Sequence, residues 1–213
     1  MSRRRDAVRE RRELTPNDHG RGIRPSFAHA YRGLLHTLAQ RNMKIHVVSA
    51  ILVGLVGSTI PLGLAEKVSL IFCVLLIFFA EILNTAIEAL VDLHTEDFRE
   101  LAMITKDTAA ASVLVLAIGT AVIFAAIFVY NWSTIADSGG AIVRQALVGG
   151  PLTAVAVGLL GSWRRRRWVD DALCAVGIAC WAGMLPATVS WVFTALTGML
   201  LLLCWRAAKH RVI

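Results

Sequence analysis

Residues 75–92 read LLIFFAEILNTAIEALVD, an apolar run suited to a bilayer that nevertheless carries Glu81, Asn84, Glu88 and Asp92. At about 100° per residue, the spacing of these four positions puts their side chains in one narrow sector of a helix. Carboxylates inside a bilayer cost several kcal/mol each unless a partner compensates them, so the default reading of such groups is functional. Two acids two helical turns apart on one polar stripe form a pattern able to hold a divalent cation and to activate a hydroxyl.

Composition agrees with a membrane setting. With 56% hydrophobic and 17% charged residues, the 213-residue chain falls in the class of all-α integral membrane proteins and has no large soluble core to build. Cys73, Cys174, Cys180 and Cys204 sit in apolar runs without CxxC spacing, which argues for packing roles over disulfides or zinc. The segment Met1–Lys44 is too polar for a signal peptide, so the N-terminus is expected to stay in the cytoplasm. Half of the 22 Lys and Arg residues precede Ile45. Positive residues beside a first membrane helix hold it against anionic cytoplasmic lipid, which accounts for the charge without a nucleic-acid partner. Residues 1–25, with Pro16, Gly20, Gly22 and Pro25, read as a disordered basic arm.

Outward from the stripe, the chain divides by hydropathy. In 26–44, Phe27, Tyr31, Leu34, Leu35 and Leu38 recur at helical spacing among His29, Arg32, His36 and Gln40, which predicts an amphipathic helix lying on the membrane surface, its polar face placed to roof a site. Spans are expected at about 47–64, 68–91 and 108–130, with the charged segment Asp92–Asp107 as a cytoplasmic connection. After a connection at Asn131–Gln145, Ala146–Trp163 predicts a fourth span, ended by Arg164–Arg167 on the cytoplasmic side. Ala172–Trp205 would run about 50 Å as one helix, too long for a hydrocarbon core of roughly 30 Å, so two helices turning near Pro186 are expected, for six spans in all.

The string AEILNTAIEALVD (residues 80–92), followed downstream by Lys106 and Asp107, resembles the bacterial diacylglycerol kinase and undecaprenol kinase family of small integral-membrane lipid kinases. YRG at Tyr31–Gly33, RNMKIH at Arg41–His46 and KDTAAASV at Lys106–Val113 fit the same family in the same order, and the resemblance covers about residues 26–130. It implies a kinase core at 26–132 made of a surface helix and three spans, homotrimers with composite sites between neighbouring chains, ATP as phosphate donor, Mg2+, and a lipid alcohol as acceptor in the bacterial cytoplasmic (inner) membrane. Undecaprenol and diacylglycerol are both open as acceptors, with the LNTAIE and RNMKIH wording leaning to undecaprenol. Residues 141–213 lie outside the resemblance and form a transmembrane extension of unassigned role.

Phosphoryl transfer to a lipid needs a group to accept the hydroxyl proton and positive charge to neutralise the phosphates. Glu81, deeper along the stripe, is the candidate base, as the resemblance also implies; a desolvated carboxylate is a keen proton acceptor. Glu88, two turns nearer the water, is the candidate metal ligand. Asn84 between them is placed to hold a phosphate or orient a carboxylate, and Asp92 is a supporting group at the surface. From the family's KD pair, Lys106 is carried over as a phosphate contact and Asp107 as a contact to the nucleotide or its metal. No GxxxxGK[ST] motif is present, which excludes a P-loop mechanism.

Competing structural roles are packing-related ion pairs for Glu81 and Glu88, interfacial charge for Asp92 and Lys106, and N-capping of the third span for Asp107. Two departures from the family stand out. Gln40 occupies the position where many members carry a metal-binding Glu, so it is the second candidate metal ligand and a weaker one. Arg99 stands where a His is common and is read as a phosphate contact. The Gln40 change is also the best support for the alternative reading, a weakly active or inactive membrane scaffold or sensor derived from such a kinase.

Overall fold

The computed structural model describes residues 23–94, 100–161 and 166–210, and among them every regular element is helical. In chain order these are α1 (Ile23–Leu38), α2 (Arg41–Thr59), α3 (Leu64–His94), α4 (Glu100–Tyr130), the short α5 (Trp132–Asp137), α6 (Gly139–Leu160), α7 (Arg167–Met184) and α8 (Trp191–Lys209). A single 3-10 turn at Leu185–Ala187 carries Pro186. Six of these helices, α2, α3, α4, α6, α7 and α8, are long and apolar enough to cross a membrane, so the protein is a multi-pass membrane protein with the expected turn at Pro186. The arm expected at 1–25 falls almost wholly outside the described residues.

Two units are distinguished, one ending at Leu34 and one beginning at Leu35. The first is the opening of α1, which tolerates Pro25 in its first turn, where a helix has no use for the missing N–H. Within it Arg32 donates to the His29 ring one turn earlier, and Ile23 and Phe27 are exposed.

In the second unit the expected surface helix over 26–44 is corrected. Helix α1 stops at Leu38, where Ala39 and Gln40 donate back to His36 and Thr37 and tighten the last turn. Gln40 is then extended, at φ −69° and ψ 144°, and serves as N-cap of α2. The RNMK segment therefore opens the first span. Helix α2 ends before Pro61, and α3 starts after Gly63, where any Cβ would collide with the Glu66 carboxylate. Glu66 in turn lies in the first turn of α3, next to the positive end of the helix dipole.

The connections are more helical than expected. Helix α3 runs on to His94 and α4 begins at Glu100, so much of 92–107 extends the two helices, and α5 and the start of α6 occupy the expected loop at 131–145. Hydropathy marks where a helix lies in lipid, not where its hydrogen bonding stops. At 31 residues each, α3 and α4 are about 46 Å long, against about 28 Å for the 19-residue α2 and α8.

Packing cuts across the division into a core and an appended extension. Helix α2 packs chiefly on α8 and α6, which with α7 form a four-helix group, while α3 leans on α2 and α4 packs on α3. Small residues on α2 explain this. Gly54 meets the Thr197 hydroxyl, and a Cβ at Gly57 would lie 2.7 Å from the ring of Phe193, which is fully buried. Adjacent to them, the Ser58 carbonyl accepts from the N–H groups of Val189 (2.8 Å) and Ser190 (3.0 Å), and Gln145 on α6 donates to the Ser58 hydroxyl at 2.9 Å. Within the extension Gly177 fits against Leu201 and Gly198 against Trp181, while Gly149 on α6 meets Leu55 of α2.

A Gly57→Val substitution is accordingly expected to force α2 away from Phe193 and to destabilise the protein by about 1–3 kcal/mol. Gly150→Val, where nothing lies within 4 Å, should change little. Thermal unfolding of both variants in detergent checks this; equal midpoints would remove the seam from the account.

At the end away from Gln40, Ile60, Leu62, Leu70 and Phe193 make a buried apolar cluster joining α2, α3 and α8. Tyr130, Trp132 and Trp191 are exposed near it, the placement of aromatic anchors at a membrane boundary. The opposite end carries Arg41, Lys106, Arg167 and Lys209 and is termed the basic end.

Candidate active site

The polar stripe of α3 forms as expected. Glu81 and Asn84 are only 2% and 4% exposed, and Thr85 is buried beside them with its hydroxyl donating to the Glu81 carbonyl. Glu88 is half-buried and Asp92 exposed, so the stripe climbs from a dry interior to water along a single helix face.

Two connections hold the stripe in place. The Asn84 amide donates to the Glu88 carboxylate at 2.9 Å, an i,i+4 contact that fixes Glu88 and occupies the amide's donor side. At the basic end Lys106 on α4 pairs with Asp92 on α3, tying the two helices. Lys106 thus leans toward α3, while the neighbouring Asp107 is exposed. The N-capping alternative for Asp107 does not hold, because α4 begins at Glu100 and Asp107 lies two turns inside it.

The groups left over matter most. The second Glu81 oxygen, Oε2, and the Asn84 oxygen Oδ1 are buried and have no hydrogen-bond donor among the described residues. An unsatisfied buried acceptor costs about 1–3 kcal/mol, more when charged, so two on adjacent turns of one helix face mark a place for a donor or cation to arrive. Among the described residues neither Glu81 nor Glu88 is ion-paired to a Lys or Arg, contrary to a packing role for the two acids.

Gln40 sits at the basic end as the N-cap of α2, exposed and with no side-chain cap hydrogen bond. Arg99 lies outside the described residues. No group of three or more His, Cys, Asp or Glu side chains gathers among the described residues. A cation held by Glu88 would therefore draw most of its other ligands from phosphate oxygens and water, the usual habit of magnesium. Reasoning from sequence missed the Asp92–Lys106 pair, since nothing in spacing alone brings two helices into that register; the i,i+4 spacing of Asn84 and Glu88 was the available signal for their bond.

A membrane helix bearing a buried acid, an amide and a half-exposed acid in line, capped by a lysine, defines a polar reaction site built into an integral membrane protein. A family model for prokaryotic diacylglycerol kinase matches residues 28–128. The chain is 38% identical over 104 residues to the undecaprenol kinase of Bacillus subtilis, covering 48% of this chain and 85% of that protein. It is 36% identical over 100 residues to a diacylglycerol kinase of Synechocystis sp., covering 46% of this chain and 57% of that one. No solved structure matches the chain. The chain belongs to the prokaryotic diacylglycerol kinase family. It is therefore a membrane lipid kinase, a phosphotransferase with an alcohol acceptor.

Proposed function

We propose that the protein transfers the γ-phosphate of Mg-ATP to the hydroxyl of a membrane lipid alcohol at the inner leaflet of the bacterial cytoplasmic membrane, with undecaprenol preferred to diacylglycerol. The observation that carries the reading is the pair of orphaned, buried oxygens on Glu81 and Asn84 beside a pinned Glu88. Glu81 takes the proton of the lipid hydroxyl, the lipid oxygen bonds to the γ-phosphorus, and the bond to the β-phosphate oxygen breaks to release ADP. Glu88 would hold the magnesium ion, whose contribution when bound is to neutralise phosphate charge; Gln40, at the same end of the fold, would offer it a neutral oxygen.

Asn84 fixes the Glu88 carboxylate and keeps Oδ1 toward the site. Lys106 exchanges Asp92 for phosphate oxygens, and Asp107 and Arg99 contact the nucleotide or its phosphates. The N-terminus is placed on the nucleotide side, so the basic end is cytoplasmic. A homotrimer is favoured because α4 buries only Ala109 and Val113 and leaves Leu114, Val115, Ile118 and Val122 uncovered within one chain. The fuller coverage of the undecaprenol kinase relative, with the LNTAIE and RNMKIH segments, supports the acceptor preference.

The test is purified protein in lipid given labelled ATP with undecaprenol or diacylglycerol. Magnesium-dependent label is expected in both lipids and more in undecaprenol; label in neither would leave the scaffold reading standing.

A further inference from the structure

At the basic end of α7 and α8 the side chains are organised beyond what membrane orientation requires. Asp171 on α7 accepts both the Trp205 indole N–H (2.9 Å) and the Lys209 ammonium (2.7 Å) from α8. The Trp205 ring carries two cations, with Lys209 Nζ 4.7 Å and the Arg206 guanidinium carbon 5.2 Å from its centroid. One turn before Asp171, Trp168 is 64% exposed, and Arg166 and Arg167 beside it are exposed. None of Arg166, Arg167 and Arg206 is ion-paired with an acid among the described residues.

Setting topology needs positive charge only, on side chains free to wander. Here two cations of α8 lie on an indole whose N–H is fixed by α7, and the first turn of α7, one turn before Asp171, presents two exposed arginines and a bare second indole. Guanidinium groups fork onto phosphate oxygens, and indoles settle where hydrocarbon gives way to headgroups. A soluble anion would have no use for an exposed Trp168, whereas a lipid presents phosphate and apolar surface at the same level. We infer that this end of α7 and α8 is a binding site for an anionic phospholipid headgroup, with Arg166, Arg167 and Arg206 on the phosphate and Trp168 and Trp205 at the acyl boundary. The site serves the extension and is independent of the phosphoryl-transfer reading, because its readout is lipid retention.

The experiment compares lipid retention by the full-length protein in mixed micelles of phosphatidylglycerol or phosphatidylcholine, measured by mass spectrometry under native conditions. Wild-type protein should retain phosphatidylglycerol preferentially, and less of it as salt rises. R166Q/R167Q/R206Q should lose the preference by about fivefold per arginine removed, while Arg144→Gln at the opposite end should leave it unchanged. Trp205→Leu, which preserves every charge, should also weaken retention, and with the salt titration it decides the matter if the triple variant fails to insert. Equal retention of the two lipids by wild type, an unaltered preference in both site variants, or displacement of the lipid by millimolar inorganic phosphate would each overturn the assignment.

Discussion

Glu81→Gln is expected to lower lipid phosphorylation by about a thousandfold, within the range for losing a general base, while nucleotide binding stays near wild type. The replacement keeps the shape of the side chain and an acceptor oxygen in a pocket where Glu81 is 2% exposed, so folding and neighbouring contacts should survive. What it removes is the capacity to take a proton at the oxygen that has no donor among the described residues. Rates with labelled ATP and lipid alcohol, set beside the dissociation constant of a non-hydrolysable ATP analogue, separate the two effects. A variant as active as wild type would take Glu81 out of the base role, and a parallel loss of nucleotide affinity would reassign it to binding.

For Glu88→Gln the expected change is in the metal requirement: the magnesium concentration giving half-maximal rate should rise by roughly tenfold to a hundredfold, with much of the rate recovered at saturation. The amide oxygen introduced by the substitution can still accept from Asn84, as the Glu88 carboxylate does at 2.9 Å, so the stripe should keep its arrangement. Only the negative charge facing the cation is lost. A magnesium titration that overlays wild type would discard the ligand role, whatever happened to the maximal rate.

Much of this site was legible before any coordinates, because a helix of 3.6 residues per turn converts the numbers 81, 84, 88 and 92 directly into one face. Span number was legible too, since Ala172–Trp205 is too long for one crossing and Pro186 is placed to divide it. Ends of elements were not. Leu38 to Arg41 contains neither Gly nor Pro, and Leu35 and Leu38 just before the break are buried, so no local signal announces it. Likewise ELAMITKD is charged but made of good helix formers, and it continues α4 beyond the lipid. The joint of α2 with α8, where Gly54 meets Thr197 and Gly57 meets Phe193, likewise required the three-dimensional register.

The hairpin of two 31-residue helices beside the 19-residue α2 and α8 has one more effect. A bilayer matched to the shorter helices leaves the last turns of α3 and the first of α4 standing proud, like a pier above the waterline, with Glu88 on the wet part and Glu81 at the tideline. Thickening the host membrane would submerge that landing stage and shift the reacting hydroxyl relative to the fixed carboxylate. On the proposed reading, acyl-chain length would thereby become a control on turnover, acting with no ligand and no change in the protein's covalent structure.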